Sequence, residues 1–166
     1  MKLNGLIETF PKELKMLIAA FVVVLSIGFY TGLLFVNETS STNPNGIEEQ
    51  YLGNEDIEDV KEMKFKKTEK AMLTLVHGHI LSMAIIFFLI GAILLTTRLN
   101  YKLKVFLTVE PFISVILTFG GIYLLWKGHI WVKYIVMFSG TLMTVTYTAS
   151  IFIILKQLLK TPAKLR

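Results

Sequence analysis

The sequence predicts an all-α, polytopic membrane protein: a four-transmembrane-helix bundle with one long extracytoplasmic loop. Three observations predict it. Of the 166 residues, 54% are hydrophobic and only 17% charged, against about 45–50% and about 25% in soluble domains. The charges fall in blocks separated by four long, nearly uncharged runs, each close to the roughly 20 residues a helix needs to cross a bilayer. Only a few residues join the last three runs, which makes their helices antiparallel neighbours. Residues 1–166 therefore read as a single membrane domain.

Residues 1–15 place Leu3, Leu6, Ile7, Phe10 and Leu14 at near-helical spacing among Lys2, Lys12 and Lys15, the pattern of a short interfacial helix. Pro11 interrupts it and suits the first turn of the first span. That span is expected at about 16–36, longer than the 7–15-residue apolar core of a signal peptide, and so reads as a retained anchor. Its Gly28-x-x-x-Gly32 lets another helix approach closely. Residues 37–70 form the long polar loop, with a turn expected at Asn43-Pro44-Asn45-Gly46. The acidic group Glu55, Asp56, Glu58 and Asp59 lacks calcium-loop spacing and reads as a solvated face. The sequon Asn37-Glu38-Thr39 abuts the membrane and reads as chance. Thr68 is the expected N-cap of a second span over 71–97; the third covers 103–126 and the fourth 131–155.

Basic residues set the expected orientation. Ten of the 17 Lys and Arg residues lie at the N-terminus, in the 98–104 turn and in the tail; seven lie on the loop side. The positive-inside rule then puts both termini in the cytoplasm. Tyr123, Trp126, Trp131 and Tyr134 gather around the 127–130 turn as an interfacial aromatic belt would.

Three histidines are the first candidate site. His77 and His79 enter the second span on the order of 9–12 Å below its start, diverging by roughly 200° around the helix. His129, in the turn before the fourth span, belongs to the same face of the membrane. Imidazoles at one level are candidate axial ligands for haem b, or for a copper or zinc ion, with Met83 a soft ligand one turn after His79. The alternative is that each histidine hydrogen-bonds to a neighbouring helix or to interfacial water.

Glu110-Pro111 is the second candidate. Glu110 lies about 10 Å inside the third span, where a carboxylate is costly and marks a functional site by default. Pro111 has no N–H and leaves the Leu107 carbonyl without its helical partner. Glu110 reads either as a proton or cation relay or as a packing element, paired with Arg98, Lys102 or Lys104 or protonated and bonded to Ser114. A third feature is small and hydroxylated: Gly140, Thr144 and Thr148 at i, i+4, i+8, with Ser139, Thr141, Thr146 and Ser150 around them and Gly120-Gly121 on the third span. Such faces pack helices closely in lipid; lining a polar path is the other role open to them.

The absence of cysteine excludes disulfides, thiolate metal sites and Cys-x-x-Cys-His haem attachment. No nucleotide-binding or hydrolase motif appears, so an enzyme of soluble type is not expected. The net charge of +5 comes from lysines at span ends and gives no nucleic-acid signal.

The run Asn45-Gly46-Ile47-Glu48-Glu49-Gln50-Tyr51-Leu52-Gly53-Asn54-Glu55, with His77-Gly78-His79 and Glu110-Pro111-Phe112, resembles small four-span bacterial inner-membrane proteins of unassigned activity. The likeness covers about residues 30–150 and implies an inner-membrane location without implying catalytic residues. The His-x-His entry to a span is also distantly similar to membrane cytochromes b. The reading that follows is a small accessory or ligand-binding subunit of a respiratory or redox assembly, with haem b or a transition metal on the histidines. Its partners are the bilayer and other membrane subunits or a second copy. Two alternatives stand beside it: a purely structural subunit or assembly factor, and a small proton-coupled transporter using Glu110.

Overall fold

A computed structural model of the chain describes residues 3–40, 43–55 and 62–160. Lys2, Asp56, Glu58, Asp59, Lys61 and the end of the basic tail, which figured in the readings above, lie outside them. Among the described residues there are helices and no strand. Four helices are long and apolar enough to cross a membrane: α1 (Lys12–Ser40), α3 (Glu69–Leu95), the run from α4 (Tyr101–Val115) to α5 (Gly121–Trp126), and α6 (Val132–Leu158). A short α2 (Pro44–Leu52) lies in the loop. The four-span bundle is thus as the hydropathy pattern predicts.

Local chemistry sets the ends. Thr68 caps α3, accepting from the Ala71 amide at 3.3 Å, and Asn100 caps α4, accepting from Leu103 at 2.8 Å; each satisfies an amide that the first helical turn leaves unpaired. α1 begins at Lys12, directly after Pro11 and four residues earlier than hydropathy suggested, because Lys12, Glu13 and Lys15 extend the helix as readily as apolar residues do.

The N-terminal segment departs from the expected interfacial helix. It makes one 3₁₀ turn, Leu6–Thr9, and tucks under the turn between α3 and α4. Gly5, just before the 3₁₀ turn, has φ 81°, a left-handed conformation that glycine adopts without strain. The Ile7 amide donates to the Thr96 carbonyl at 3.1 Å, Ile7 is wholly buried, and Arg98 reaches Glu8 Oε2 at 3.1 Å. Gln157, near the end of α6, bonds both the amide and the carbonyl of Arg98 (2.6 and 3.2 Å). This end, which carries the N-terminal segment, is the terminal end of the bundle.

The loop end is a folded cap and not a solvated strand of chain. Where a turn was expected, Asn43 accepts from the Gly46 amide at 2.7 Å and Pro44 occupies the first turn of α2; the residue types that make a turn also start a helix. Asn54 is buried and ties the end of α2 to the segment before α3, donating to the Glu62 carbonyl at 3.0 Å and accepting from the Lys64 amide at 2.7 Å. Gly53, at φ 87°, passes so close to this backbone that a Cβ would lie 2.8 Å from the Lys66 nitrogen. The Trp126 indole donates to the Lys67 carbonyl at 2.7 Å, and Lys133 on α6 meets Glu48 on α2 at 2.6 Å. The cap is thereby fastened to α5 and α6.

Within the bundle, α4 packs along both α3 and α6, and α6 also carries α1. The Phe29 ring of α1 stacks on Tyr147 of α6 with centroids 3.9 Å apart.

Candidate intramembrane acid site

Glu110 lies nine residues into α4, about 13 Å from its start, on the side that faces the bundle. It is 7% exposed. Ser114, one turn on and 1% exposed, donates its hydroxyl to Glu110 Oε1. Glu110 Oε2 is buried with no hydrogen-bond partner. The cations weighed as its partners are occupied elsewhere. Arg98 holds Glu8, and Lys104 Nζ donates to the Thr97 and Leu95 carbonyls (2.7 and 3.0 Å) and to Asn4 (3.2 Å). Lys102 is exposed.

Pro111, next to the acid, is buried within the helix and cannot donate to the Leu107 carbonyl. The helix is disturbed again at Ile116–Gly120, where the chain makes a π turn, a form frequent at functional sites. Thr118, inside that turn, lies two helical turns after Glu110 and shares a 2.7 Å hydrogen bond with Ser139 of α6. Ser139 also bonds the Ile135 carbonyl at 2.8 Å. Thr146 and Ser150 continue the line of buried hydroxyls along α6. One oxygen of this carboxyl is thus met by a donor and the other is not.

The small-residue positions differ among themselves. A Cβ on Gly121 would lie 2.8 Å from Val136 and 3.2 Å from Val132, so α5 and α6 touch there backbone to side chain. A Cβ on Gly140 would sit 3.9 Å from Thr118, while Gly28, Gly32 and Gly120 have nothing within 4 Å. Thr144 bonds back to the Gly140 carbonyl at 2.9 Å, and Thr148 meets Tyr30 of α1 at 2.9 Å. The deeply buried hydroxyls of α6 are therefore Ser139, Thr146 and Ser150, which flank the Gly140, Thr144, Thr148 face.

All three histidines are exposed and sit toward the loop end of their elements. His79 Nδ1 donates to the Leu75 carbonyl at 2.8 Å, and its ring lies 4.7 Å from that of Phe119 in the π turn. An open groove runs beside it along α3, past Thr74, Gly78 and Ser82. His77 is on the same helix, and His129 is in the turn after α5, its amide bonded to the Leu124 carbonyl at 3.1 Å. Among the described residues, no three His, Cys, Asp or Glu side chains come together as a metal site would require. His77 and His79 diverge by roughly 200° around one helix, and His129 sits on a different element.

What sequence reasoning missed is the Thr118–Ser139 pair. Its only signal was the i, i+4, i+8 spacing of Glu110, Ser114 and Thr118.

The family model Aq_1264_TM, described as a transmembrane helical domain, matches residues 41–165, the stretch from just before α2 through α6. No curated protein and no solved structure matches the chain.

Proposed function

The chain belongs to this family of transmembrane helical domains and is a multi-pass membrane protein in contact with lipid; from that premise we propose that it is a small proton-coupled membrane protein whose working group is Glu110. The observation that carries the reading is the unpartnered, buried Oε2 of Glu110. An ionisable side chain facing the interior of a membrane bundle, away from any counter-charge, is costly to keep and marks proton or ion pathways. The membrane is a bacterial cytoplasmic (inner) membrane with both termini on the cytoplasmic side, an orientation supported by the ten basic residues of the terminal side. In proteoliposomes under an imposed pH gradient, Glu110→Gln is expected to insert and fold but to carry protons no faster than protein-free vesicles. Wild-type flux from that variant ends this reading.

A second reading, a ligand-binding subunit of a respiratory or redox assembly with haem b or a metal on His77, His79 or His129, is favoured by one feature of His79. Its Nδ1–H is tied to the Leu75 carbonyl, which leaves the Nε2 lone pair free, as in ligating histidines oriented by a backbone carbonyl. A Soret band that His79→Ala removes would support it; a colourless, metal-free wild-type preparation would end it. An assembly role, with other membrane subunits or a second copy against α1, draws on the open face at Gly28 and Gly32 and is tested by co-purification in detergent.

A further inference from the structure

We propose that Glu110 exchanges its proton toward the loop end of the bundle, through Ser114 and the Thr118–Ser139 pair, with the π turn as the device that brings Thr118 into line. The proposal rests on the reading of Glu110 as a proton-binding group and adds a route and a direction to it.

The direction follows from what lies on either side of the acid. Toward the terminal end, the side chains packed below the acid are mostly apolar: Leu107 on α4, Leu94 on α3, Ile151 and Ile154 on α6, and Ile7 beneath them. The buried polar groups there do not bond Glu110: Thr97 donates to the Leu94 carbonyl, Gln157 and Glu8 hold Arg98, and Ser150 stands on α6 apart from the Glu110–Ser114 pair. Toward the loop end come three hydroxyls, those of Ser114, Thr118 and Ser139, all buried. Glu110 and Ser114 are bonded, as are Thr118 and Ser139.

The alignment depends on the π turn. In an unbroken α-helix each four-residue step advances by about 40°, which would leave Thr118 about 80° around from Glu110 and off the face that meets α6. A π turn spreads its hydrogen bonds over five residues and so winds less per residue. That turns Thr118 back onto the face that carries Glu110 and Ser114, where Ser139 meets it.

Beyond the first turn of α3, the titratable side chains on the helices packed against α4 are His77, His79, Lys133, Tyr134, Tyr147 and Lys156. Lys133 is held by Glu48 and Tyr147 donates to Ser26 at 3.4 Å. None of the six bonds Glu110; among the described residues the hydroxyl bonded to it is that of Ser114.

At rest Ser114 donates to Glu110 Oε1. In the transfer its hydroxyl first turns toward the loop end, and the protonated Glu110 donates to Ser114 Oγ. The Glu110 O–H bond breaks as that proton passes across, and Ser114 releases its own hydroxyl proton onward. About 6 Å of helix rise separates Ser114 from Thr118, so this step requires one water molecule between them, which would take a proton from Ser114 and give one to Thr118 Oγ1. Thr118 then releases a proton to Ser139 Oγ, seven residues into α6 and buried, and Ser139 passes one to water that would have to enter from the loop end. Each relay oxygen gains one proton and loses one, and the net change is a carboxylate at Glu110 and a proton outside.

Hydrogen–deuterium exchange of the protonated carboxyl, followed by its infrared C=O stretch in the full chain reconstituted in lipid, tests this without requiring net transport. The band is assigned by its loss in Glu110→Gln. The double variant Thr118→Val with Ser139→Ala replaces both partners of one hydrogen bond, which leaves neither stranded. It is expected to keep the band but slow its exchange by about tenfold, the factor for losing roughly one hydrogen bond from the transfer barrier. Thr118→Ser with Ser139→Thr, which keeps both hydroxyls, is expected to exchange at the wild-type rate, as is Ser150→Ala in the terminal half. Unchanged exchange in the double Val/Ala variant overturns the route, and equal slowing in Ser150→Ala overturns its direction. A wild-type spectrum without the band overturns the reading of Glu110 itself, and the route with it.

Discussion

The two halves of the bundle invert the rule of soluble proteins. Over their most apolar 18 residues, α1 and α3 each have mean hydropathy 2.4, yet only 17% of those residues are buried; the α4–α5 span and α6 have mean hydropathy 1.9 and 1.6 over theirs, with 50% and 39% buried. In water the most apolar helix would lie innermost. In lipid the tails solvate leucine as well as another helix does, so no hydrophobic force draws α1 or α3 inward. Close packing and hydrogen bonds between helices decide burial instead, and α4 to α6 own the residues for both: Gly121, Ser114, Thr118, Ser139 and Glu110. In this chain polarity marks the inside, which is why the acid sits where it does.

The comparison is tested most severely at the glycines. Gly121→Ala forces a methyl into Val136 at 2.8 Å, with the backbone of α5 and α6 having little room to part. Overpacking of that kind costs about 1–3 kcal/mol. Gly28→Ala, on the open face of α1, meets nothing within 4 Å and is expected to hold or slightly raise stability, since alanine is the better helix former. Thermal unfolding in detergent should separate the two variants clearly. Equal midpoints would mean that the inner pair is no more tightly packed than the lipid-facing helices.

The four spans were legible in the sequence because length and apolarity are all that a crossing helix requires. Azimuth was not legible. Counting residues puts His77, His79 and His129 at one level, but it is helix register and rotation that keep them apart, and neither leaves a trace in periodicity when every face of a span is apolar. Glu110 stood out by its charge and Ser114 by its spacing. The Thr118–Ser139 bond depends on a π turn that Gly120-Gly121 permits but does not announce. The cap was missed for a related reason: Asn, Pro and Gly in the loop read as turn formers, while their partners, such as the Lys67 carbonyl that takes the Trp126 indole, lie tens of residues away.

Trp126→Phe tests whether the cap belongs to the buried half. The ring volume is largely kept, but the donor to the Lys67 carbonyl is lost, and with it part of the stacking under Lys66 and Lys127, whose ammonium groups lie 5.5 and 4.7 Å from the indole centroid. About 0.5–1.5 kcal/mol of local stability should go, seen as faster amide exchange over residues 62–68 with the exchange of α1 unchanged. Exchange that quickened equally in α1 would show that the two halves unfold together and that the division drawn here has no energetic meaning.

Alkaline pH should loosen the same cap by a smaller amount. Glu69 bonds Lys127 Nζ at 3.2 Å and holds that ammonium above its ordinary range, with partial desolvation working against it. Burial in the cap pushes the Tyr51 phenol up as well. Both groups bind their protons more tightly in the folded cap than in an open one. Their stabilisation is therefore complete below about pH 10, where the open forms are still protonated, and is lost as pH rises through the higher folded values. Limited proteolysis between α2 and α3 is expected to accelerate above that pH, while helicity by circular dichroism stays constant because the spans take no part. Lys127→Ala should remove one share of the pH dependence and Tyr51→Phe the other. A cleavage rate that ignores pH in the wild type would mean that the cap is held by Asn54 and Trp126 alone, with the charges at its rim contributing nothing.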